Sequence, residues 1–357
     1  MITDYNLDAY DFDLPDDLIA QEPVRQRDQS RLLVVDTSEN SEAPNALSDT
    51  VFSALPTYLR EGDVLVLNDT RVFPAQLVGR RATGGRGELL LIEAQVDGSW
   101  TVLARPAKKL DVGATIAFGP EAAPLLTATV VEVRPEGRRR VAFTHDFETL
   151  DAAIDAVGRM PLPPYIRRPE PRSADRERYQ TVYAQHRGSV AAPTAGLHFT
   201  PALLDACKAR GVELARVTHH VGYGTFEPVR VEDLREHRVA AERYTLADAD
   251  AARIDQARAN GGRVIAVGTT TTRALESAVD GAGKLVPGTR ETSLTITPGY
   301  RFRAIDGLVT NFHLPRSSLL VLVSTLAGRT RVLDAYQHAI EAGYRFYSYG
   351  DATLILT

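Results

Sequence analysis

Cysteine is nearly absent from this chain, where Cys207 is the single example among 357 residues. One cysteine excludes intramolecular disulfides and any zinc or iron–sulfur site that needs several thiolates, and it is typical of a reducing compartment. Cys207 follows Leu203 and Leu204 at helical spacing. We therefore expect a small core residue on the apolar face of a helix rather than a nucleophile.

Long apolar segments and an export signal are also missing. The longest apolar run, residues 317–328, is well short of the ~20 residues that a membrane-spanning helix needs, so it predicts a buried core helix. The first 18 residues are acidic and contain neither the basic nor the apolar region of a signal peptide. The sequence thus predicts a cytoplasmic protein without membrane attachment.

A general excess of positive charge is the third absence. The formal net charge is −5, and 24% of the residues are charged, which are ordinary values for a folded globular protein. A surface covered in basic residues is therefore excluded. Short basic runs at 108–109, 138–140 and 167–172 are candidates for a local basic face, although solvated loops are the simpler interpretation of each run taken alone.

The chain contains two kinds of secondary-structure pattern. Short β-rich runs follow one another over residues 62–145 at the spacing of a small barrel or sandwich, and "GGRG" at 84–87 indicates a hairpin turn between two of them. Strand and helix patterns alternate elsewhere. The sequence therefore predicts an α/β (α+β) fold, in which an all-β domain (62–145) is inserted into a larger domain formed by residues 1–61 plus 146–357.

Small residues, hydroxyls and polar side chains cluster where several predicted strands stop. In α/β proteins, ligands bind beyond the carboxyl ends of strands, so we expect these segments to converge on one pocket, although turn chemistry alone could explain each of them. The segments are 189–200, 220–226, 268–276 and 310–316.

Ten segments of the chain, in the same order, match one known family. They are 13–36, 62–79, 105–110, 158–166, 177–184, 188–200 ("GSVAAPTAGLHFT"), 220–229, 267–277 ("VGTTTTRALES"), 310–324 ("TNFHLPRSSLLVLVS") and 344–356. With these motifs the chain closely resembles the S-adenosylmethionine:tRNA ribosyltransferase-isomerase family of queuosine biosynthesis. The resemblance implies a large α/β domain that carries an inserted six-stranded β-barrel.

The resemblance also implies a reaction. Members transfer and isomerise the ribosyl part of S-adenosylmethionine onto 7-aminomethyl-7-deazaguanine (preQ1) at the tRNA wobble position, which gives epoxyqueuosine and releases adenine and methionine. S-adenosylmethionine is then a substrate, and neither a permanently bound cofactor nor a metal is expected. The sulfonium acidifies the adjacent 5′ carbon, so the site must supply a general base, a proton donor for adenine and hydrogen bonds for developing alkoxide charge.

Three residues are candidates for the acid–base work. His198 stands just before a helix that Thr200 caps, where the dipole disfavours an imidazolium; it is expected to be a neutral proton carrier facing the reacting groups, or else to shape the loop. Asp69 is a candidate base, unless it pairs with Arg71 to pin the domain junction. Glu276 is the third candidate base.

The other candidates for the site are polar, charged or glycine residues within the matching motifs. Those for binding substrate are Asn68, Arg71, Arg105, Lys108, Thr194, Gly196, His220, Gly222, Gly224, Thr225, Thr269, Thr270, Arg273, Asn311 and His313. Arg105 and Lys108 suit phosphates or the methionine carboxylate. His313 is expected to be more structural than catalytic.

Further expectations concern charged residues. Arg273 and Glu276 should lie one helical turn apart on a shared face. Because the net charge is negative, binding of tRNA should be local, and Arg167 and Arg168 are the candidates for its phosphates.

Two positions depart from the family pattern. "HRVAAE" (237–242) has Ala240 where members commonly have a second histidine, and Ser293 stands where an aspartate is common. Two alternatives follow: a diverged enzyme that uses S-adenosylmethionine with a different amine acceptor, and a non-catalytic RNA-binding protein. The hydroxyl- and histidine-rich motifs disfavour the second alternative, since a pure binding protein has no need of them.

Overall fold

A computed structural model describes residues 4–37, 47–168, 172–222, 224 and 229–357. Within them, the strands are Arg31–Asp36 (β1), Leu47–Val51 (β2), Val64–Asn68 (β3), Thr70–Val72 (β4), Gln76–Arg81 (β5), Arg86–Ala94 (β6), Trp100–Arg105 (β7), Thr115–Phe118 (β8), Leu126–Val133 (β9), Arg138–His145 (β10), His186–Ser189 (β11), Glu213–His219 (β12), Glu242–Leu246 (β13), Val264–Val267 (β14), Gly288–Thr292 (β15), Gly307–Asn311 (β16) and Ala352–Leu356 (β17). The helices are Leu55–Tyr58 (α1), Leu150–Val157 (α2), Asp175–Arg178 (α3), Pro201–Ala209 (α4), Asp248–Ala259 (α5), Thr269–Ala278 (α6), Ser318–Ala327 (α7) and Arg329–Glu341 (α8).

A large mixed sheet forms the centre of the described chain, in the strand order β15-β13-β12-β3-β14-β16-β17-β1-β2. The neighbours β12, β3, β14 and β16 are parallel, while β17 runs antiparallel to β16. β3, β14, β16 and β17 are buried along their whole length. Such continuous burial requires both faces to be covered, which explains why these strands are almost uninterrupted apolar runs.

Helices cover both faces of this sheet. On one face, α5 to α8 pack against side chains such as Val64 and Val66, and on the other face α1 and α4 pack against Leu65 and Leu67. Cys207 of α4 is completely buried in the second layer, as its helical spacing predicts. The apolar run at 317–328 forms the buried helix α7, as expected.

The inserted barrel is closed, with the order β10-β7-β6-β5-β8-β9. This confirms the mixed fold with an all-β barrel, and "GGRG" lies at the β5–β6 hairpin as predicted. Residues 64–72 differ from the prediction, because β3 is a central strand of the large sheet and β4 pairs with β11. The barrel strands therefore run from Gln76 to His145 rather than from residue 62. The unbroken "VLVL" of β3 is typical of a strand with both faces covered, not of a barrel strand.

The segments that enter and leave the barrel lie side by side. Gln76 and Arg159 exchange two backbone hydrogen bonds, of 3.2 and 2.8 Å. Next to them, β4 and β11 form a short parallel pair. α2 packs against the barrel through Ile154, which belongs to the barrel's core.

The described residues contain neither a membrane-spanning helix nor a cluster of metal ligands. No helix in these ranges combines the length and the apolar character that crossing a bilayer requires. The same residues contain no group of three or more His, Cys, Asp or Glu side chains placed to hold a metal ion.

Candidate active site

A cavity of about 210 Å³ lies where β14 and β16 of the large sheet end. All four segments that the sequence groups together contribute to its wall, through Ala191–Ala195, Val221, Gly268–Thr270 and Thr310–Arg316. The neighbouring parallel strands bring these segments to one edge of the sheet, where α/β proteins bind their ligands. The expected convergence on one pocket is therefore present.

The turn after β14 exposes a helix start to this cavity. Gly268 has φ +96, a left-handed conformation that favours glycine, and its N–H donates to the carbonyl of Val309 over 2.8 Å. The chain turns there directly into α6, and Gly268 offers no side chain to cap the helix. The first residues of α6, Thr269 and Thr270, consequently line the cavity with their helix N-terminus.

Five of the predicted binding residues line this cavity. They are Thr194, Thr269, Thr270, Asn311 and His313. Much of the rest of the wall is aromatic or apolar, and it includes Tyr165, Tyr179, Tyr347 and Leu314.

His313 is the imidazole of this cavity wall. Its Nε2 lies 2.9 Å from the Thr310 hydroxyl, and its backbone N–H donates to the Tyr336 hydroxyl over 2.9 Å. Burial lowers the pKa of His313 to about 3, so the ring is neutral near pH 7. His313 thus lines the cavity as a neutral imidazole, which offers a ligand hydrogen-bonding groups.

Asn311 connects the cavity to a histidine behind its wall. The Asn311 Nδ2 donates to the carbonyl of Tyr347 over 3.2 Å and to His198 Nε2 over 3.0 Å. The Asn311 Oδ1 is buried and has no hydrogen-bond partner among the described residues. Buried polar atoms are normally satisfied, so this acceptor is free for a ligand donor once one reaches it.

His198 does not line the cavity, in contrast to the role predicted for it. It is 4% exposed, its ring packs against Phe52 at 5.0 Å, and its Nδ1 lies 2.7 Å from the Ser30 hydroxyl. Because Asn311 donates to Nε2, Nδ1 carries the hydrogen of the neutral ring. Burial, reinforced by the charges of Arg345 and Arg27, lowers the pKa of His198 to about 3. The ring is neutral as expected, but burial rather than the helix dipole is the main cause, and His198 positions Asn311.

Asp69 also lies outside the cavity wall. The Thr218 hydroxyl donates to its Oδ1 over 2.6 Å, and His186 Nε2 lies 3.7 Å from its Oδ2. Burial raises the pKa of Asp69. Arg71 is exposed, and no ion pair joins it to Asp69 in the described structure. The expected Asp69–Arg71 pair is thus absent from the described structure, and the candidate base Asp69 lies away from the cavity.

Glu276 does not line the cavity and forms its hydrogen bonds inside the protein. Its carboxylate accepts hydrogen bonds from the Tyr300 hydroxyl, at 3.0 Å, and from the backbone N–H groups of Arg303 and Ala304. Arg273 turns to a different carboxylate, Glu242, over 2.6 Å. Arg273 and Glu276 therefore do not bond to each other across the turn of α6 that separates them. Glu276 instead stabilises the loop before β16.

Several other predicted residues stabilise the walls from behind. Asn68 is fully buried and bonds both backbone groups of His219. His220 contacts the Thr70 hydroxyl at 2.8 Å, and burial is the main cause that lowers its pKa to about 4. A Cβ at Gly196 would collide with the Tyr183 hydroxyl. The Gly222 N–H donates to Glu242 over 2.9 Å.

The predicted basic residues are on the outside of the molecule or in ion pairs. Arg105 and Lys108 are exposed on the barrel, and Arg105 lines a separate cleft of about 200 Å³ between the barrel and residues 161–164. The Arg167 side chain is 80% exposed, whereas that of Arg168 is 11% exposed and lies between Glu22 and Asp175. Arg168 is therefore unavailable to a phosphate unless these pairs open.

A second, smaller cavity of about 40 Å³ adjoins the first, and Thr269, Thr270, Ser318 and Leu319 line both. Two more predicted residues, Gly224 and Arg273, line the small cavity together with Glu242. Burial raises the pKa of Glu242, but the hydrogen bond and charge of His219, the charge of Arg273 and the Gly222 N–H outweigh it and lower the pKa to about 2. Thr225, the other predicted residue of this loop, lies outside the described residues.

Comparison with known proteins decides the family. A family model described as "Queuosine biosynthesis protein" matches residues 7–355. The chain belongs to the queuosine biosynthesis protein family.

Individual relatives of this family are similar over nearly their full length. The chain is 52% identical to the S-adenosylmethionine:tRNA ribosyltransferase-isomerase of Parvibaculum lavamentivorans, with 97% of each chain covered. It is 50% identical to the enzyme of the same name from Pelotomaculum thermopropionicum, covering 98% of this chain and 100% of the relative. The crystal structure of S-adenosylmethionine tRNA ribosyltransferase from Thermotoga maritima is 34% identical, with a TM-score of 0.55, and covers 98% of this chain and 100% of that one.

The two departures from the family pattern occupy different environments. Ala240 lines the small cavity, close to Gly224, whereas Ser293 is exposed just after β15. Only the first of them borders a space that a ligand can enter.

The tyrosines of the large cavity were not among the site residues predicted from the sequence. Tyr165 lies in the 158–166 motif and Tyr347 in the 344–356 motif, and their rings stack at 4.6 Å. Both motifs carry the family resemblance, so the signal was present. Tyrosine is also a common core residue, however, and nothing in its local sequence separates the two uses.

Proposed function

We propose that this chain is an S-adenosylmethionine:tRNA ribosyltransferase-isomerase that modifies preQ1 at the wobble position of tRNA, with the large cavity as its reaction site. The observation that carries the proposal is the convergence of four motif segments on one cavity, in a member of this family. The near full-length relatives of that name favour this activity over a different amine acceptor and over a non-catalytic RNA-binding protein.

His313 is the proposed general base of the reaction. Among the described residues that line the large cavity, His313 carries the imidazole, which is unprotonated near pH 7, whereas burial raises the pKa of Tyr165 to about 12 and keeps its hydroxyl protonated. In the tautomer whose Nε2–H donates to the Thr310 hydroxyl, the lone pair is on Nδ1, and this nitrogen takes the proton from the 5′ carbon next to the sulfonium.

Stabilisation of the alkoxide and binding of the purine fall to uncharged groups. The hydroxyls of Thr269 and Thr270 and the start of α6 supply hydrogen bonds to developing alkoxide charge. The free Oδ1 of Asn311 accepts a hydrogen bond from the exocyclic amine of adenine. The tyrosines of the wall provide flat surfaces for a purine.

The anticodon loop approaches from the side of the barrel. Arg105 lines the cleft between the barrel and residues 161–164, and Pro164 borders both this cleft and the large cavity. Arg105 and Lys108 are exposed, and neither forms an ion pair in the described structure. These cations suit phosphates that flank the wobble nucleotide, with exposed Arg167 as a further contact.

Release of adenine tests the proposal. The purified chain is mixed with S-adenosylmethionine and tRNA that carries either preQ1 or unmodified guanine at the wobble position, and adenine, methionine and modified tRNA are measured. We expect all three products with preQ1-tRNA only. Equal release of adenine with both tRNAs would contradict the acceptor, and no release with either would contradict the activity.

A further inference from the structure

We propose that the small cavity beside Arg273 holds the amino-acid end of S-adenosylmethionine, with the carboxylate on Arg273 and the ammonium group on Glu242. The inference rests on the proposed function, since it assigns one part of that substrate to one part of the site. It separates the binding of the methionine end from the chemistry at the ribose in the large cavity.

The first observation is an incompletely bonded guanidinium. Arg273 Nη1 donates to Glu242 Oε2 over 2.6 Å, and Nε donates to the carbonyl of Leu294 over 3.0 Å. The Arg273 Nη2 is buried and has no acceptor among the described residues, although the residue is only 8% exposed. A buried charged donor without a partner is unfavourable, so a ligand oxygen that completes its bonds is bound strongly.

The second observation is that two helices, α6 and α7, begin at the boundary between the two cavities. Thr269 and Thr270 of α6 and Ser318 of α7 line the boundary between the two cavities. Both helices have ten residues, and each directs the positive end of its dipole toward that boundary. Since α6 has no side-chain cap, the first amides of α6 are free to bond an anion.

The third observation is an acceptor placed for a cation. Glu242 Oε1 accepts from the Gly222 N–H at 2.9 Å, and Oε2 accepts from His219 at 3.1 Å and from Arg273. Glu242 lines the small cavity, and its pKa of about 2 keeps it ionised, so its negative charge attracts a cation there. An unpartnered carboxylate of a ligand would stand too near Glu242, whereas the zwitterionic end of an amino acid supplies an ammonium group that offsets the repulsion.

Size and position agree with this assignment. The cavity beside Arg273, of about 40 Å³, is much smaller than the adjoining cavity of about 210 Å³, which leaves the larger groups of the substrate to the latter. Arg105 and Lys108, the sequence-based candidates for the methionine carboxylate, are exposed on the barrel surface. Arg273 is the buried arginine that lines the space next to the reaction site.

Binding of two ligands without tRNA tests the inference. Calorimetry compares S-adenosylmethionine with decarboxylated S-adenosylmethionine on the wild-type chain and on Arg273→Lys, which keeps the charge but loses the second donor of the fork. We expect the wild type to prefer the carboxylated ligand by on the order of 10- to 100-fold, and Arg273→Lys to lose most of that preference.

Arg263→Lys is the matched control, because Arg263 is a half-buried arginine that pairs with a buried carboxylate, Asp63, but lines neither cavity. This variant should keep the wild-type preference. An equal affinity of the wild type for both ligands overturns the inference, and this result needs no variant to fold. A preference that survives in folded Arg273→Lys overturns it as well. If either result accompanies normal release of adenine, the inference fails while the proposed function stands.

Discussion

The wall of the large cavity and the layer directly behind it contain the same kinds of residue but differ in their hydrogen bonds. Asn68, His198 and Glu276 lie behind the wall, and each bonds to neighbouring protein groups through both ends of its polar side chain. On the walls, Asn311 Oδ1 and Arg273 Nη2 have no partner in the described structure. Polar residues at strand ends thus mark the region of a site, whereas a cavity-lining position combined with an unused hydrogen-bonding atom selects the side chains proposed to meet a ligand.

The largest expected effect comes from replacing the histidine on each side of the cavity wall by asparagine, one at a time. We expect His313→Asn to lower the rate of adenine release about 10²- to 10⁴-fold, the usual contribution of a positioned general base. His198→Asn should reduce the rate far less, since His198 acts through Asn311 and does not touch the substrate. Single-turnover rates with preQ1-tRNA measure both. A larger loss in His198→Asn than in His313→Asn would reverse the two assignments.

The second prediction concerns the stability that the rear layer supplies. His198→Asn removes the contacts with Ser30 and Phe52 and leaves buried polar atoms behind. We expect the free energy of unfolding to fall by about 1–3 kcal/mol, the cost of unsatisfied buried groups. Urea denaturation measures it, with the exposed residue His186, exchanged to Asn, as the control. Unchanged stability of His198→Asn would show that the ring is not a packed support.

The free energy of unfolding should also depend on pH, because His198 and His313 are both neutral when buried. Their folded pKa of about 3 lies below the ordinary value of 6.5, so they stabilise the fold above pH 6.5 and this contribution is lost as the pH falls from 6.5 toward 3. Each histidine contributes a slope of up to about 1.4 kcal/mol per pH unit in that window. Urea denaturation of His198→Asn between pH 7 and 5 should therefore give a shallower slope than the wild type; an identical slope would contradict the buried neutral state.

The smallest expected effect separates two adjacent arginines. Arg167→Ala should weaken tRNA binding modestly and lower the salt slope by about one unit for one lost phosphate contact, without loss of stability. Arg168→Ala should instead destabilise the fold, because Arg168 is buried between Glu22 and Asp175. Binding of tRNA at several salt concentrations, together with thermal unfolding, tests both. Equal effects of the two variants on tRNA affinity would restore Arg168 as a phosphate ligand.

Much of the fold could be predicted because periodicity depends on local sequence. The barrel strands β5 to β10, the helix after "VGTTTT" and the buried helix α7 all follow from patterns within a few residues. β3 could not be assigned to its sheet in this way. Its neighbours, β12 and β14, are distant in sequence, and only their pairing shows that both faces of β3 are covered.

The site was predictable as a region and not as a set of roles. His198 and His313 occur in similar settings, each after an apolar residue and before a helix, yet the first bonds Ser30 and Asn311 and the second lines the cavity. Which of them faces a ligand depends on residues more than 100 positions away in the chain. The partner of Arg273, Glu242, likewise lies on another element and could not be assigned from the local sequence.

The place where the chain enters and leaves the barrel determines how such a protein can be altered. Because Gln76 and Arg159 exchange backbone hydrogen bonds, the excursion of the chain through the barrel begins and ends at neighbouring points. A segment with adjoining ends can be lengthened, shortened or replaced at little entropic cost to its host. The barrel can therefore be exchanged between relatives as a unit, while the large sheet and the two cavities at its edge stay in place.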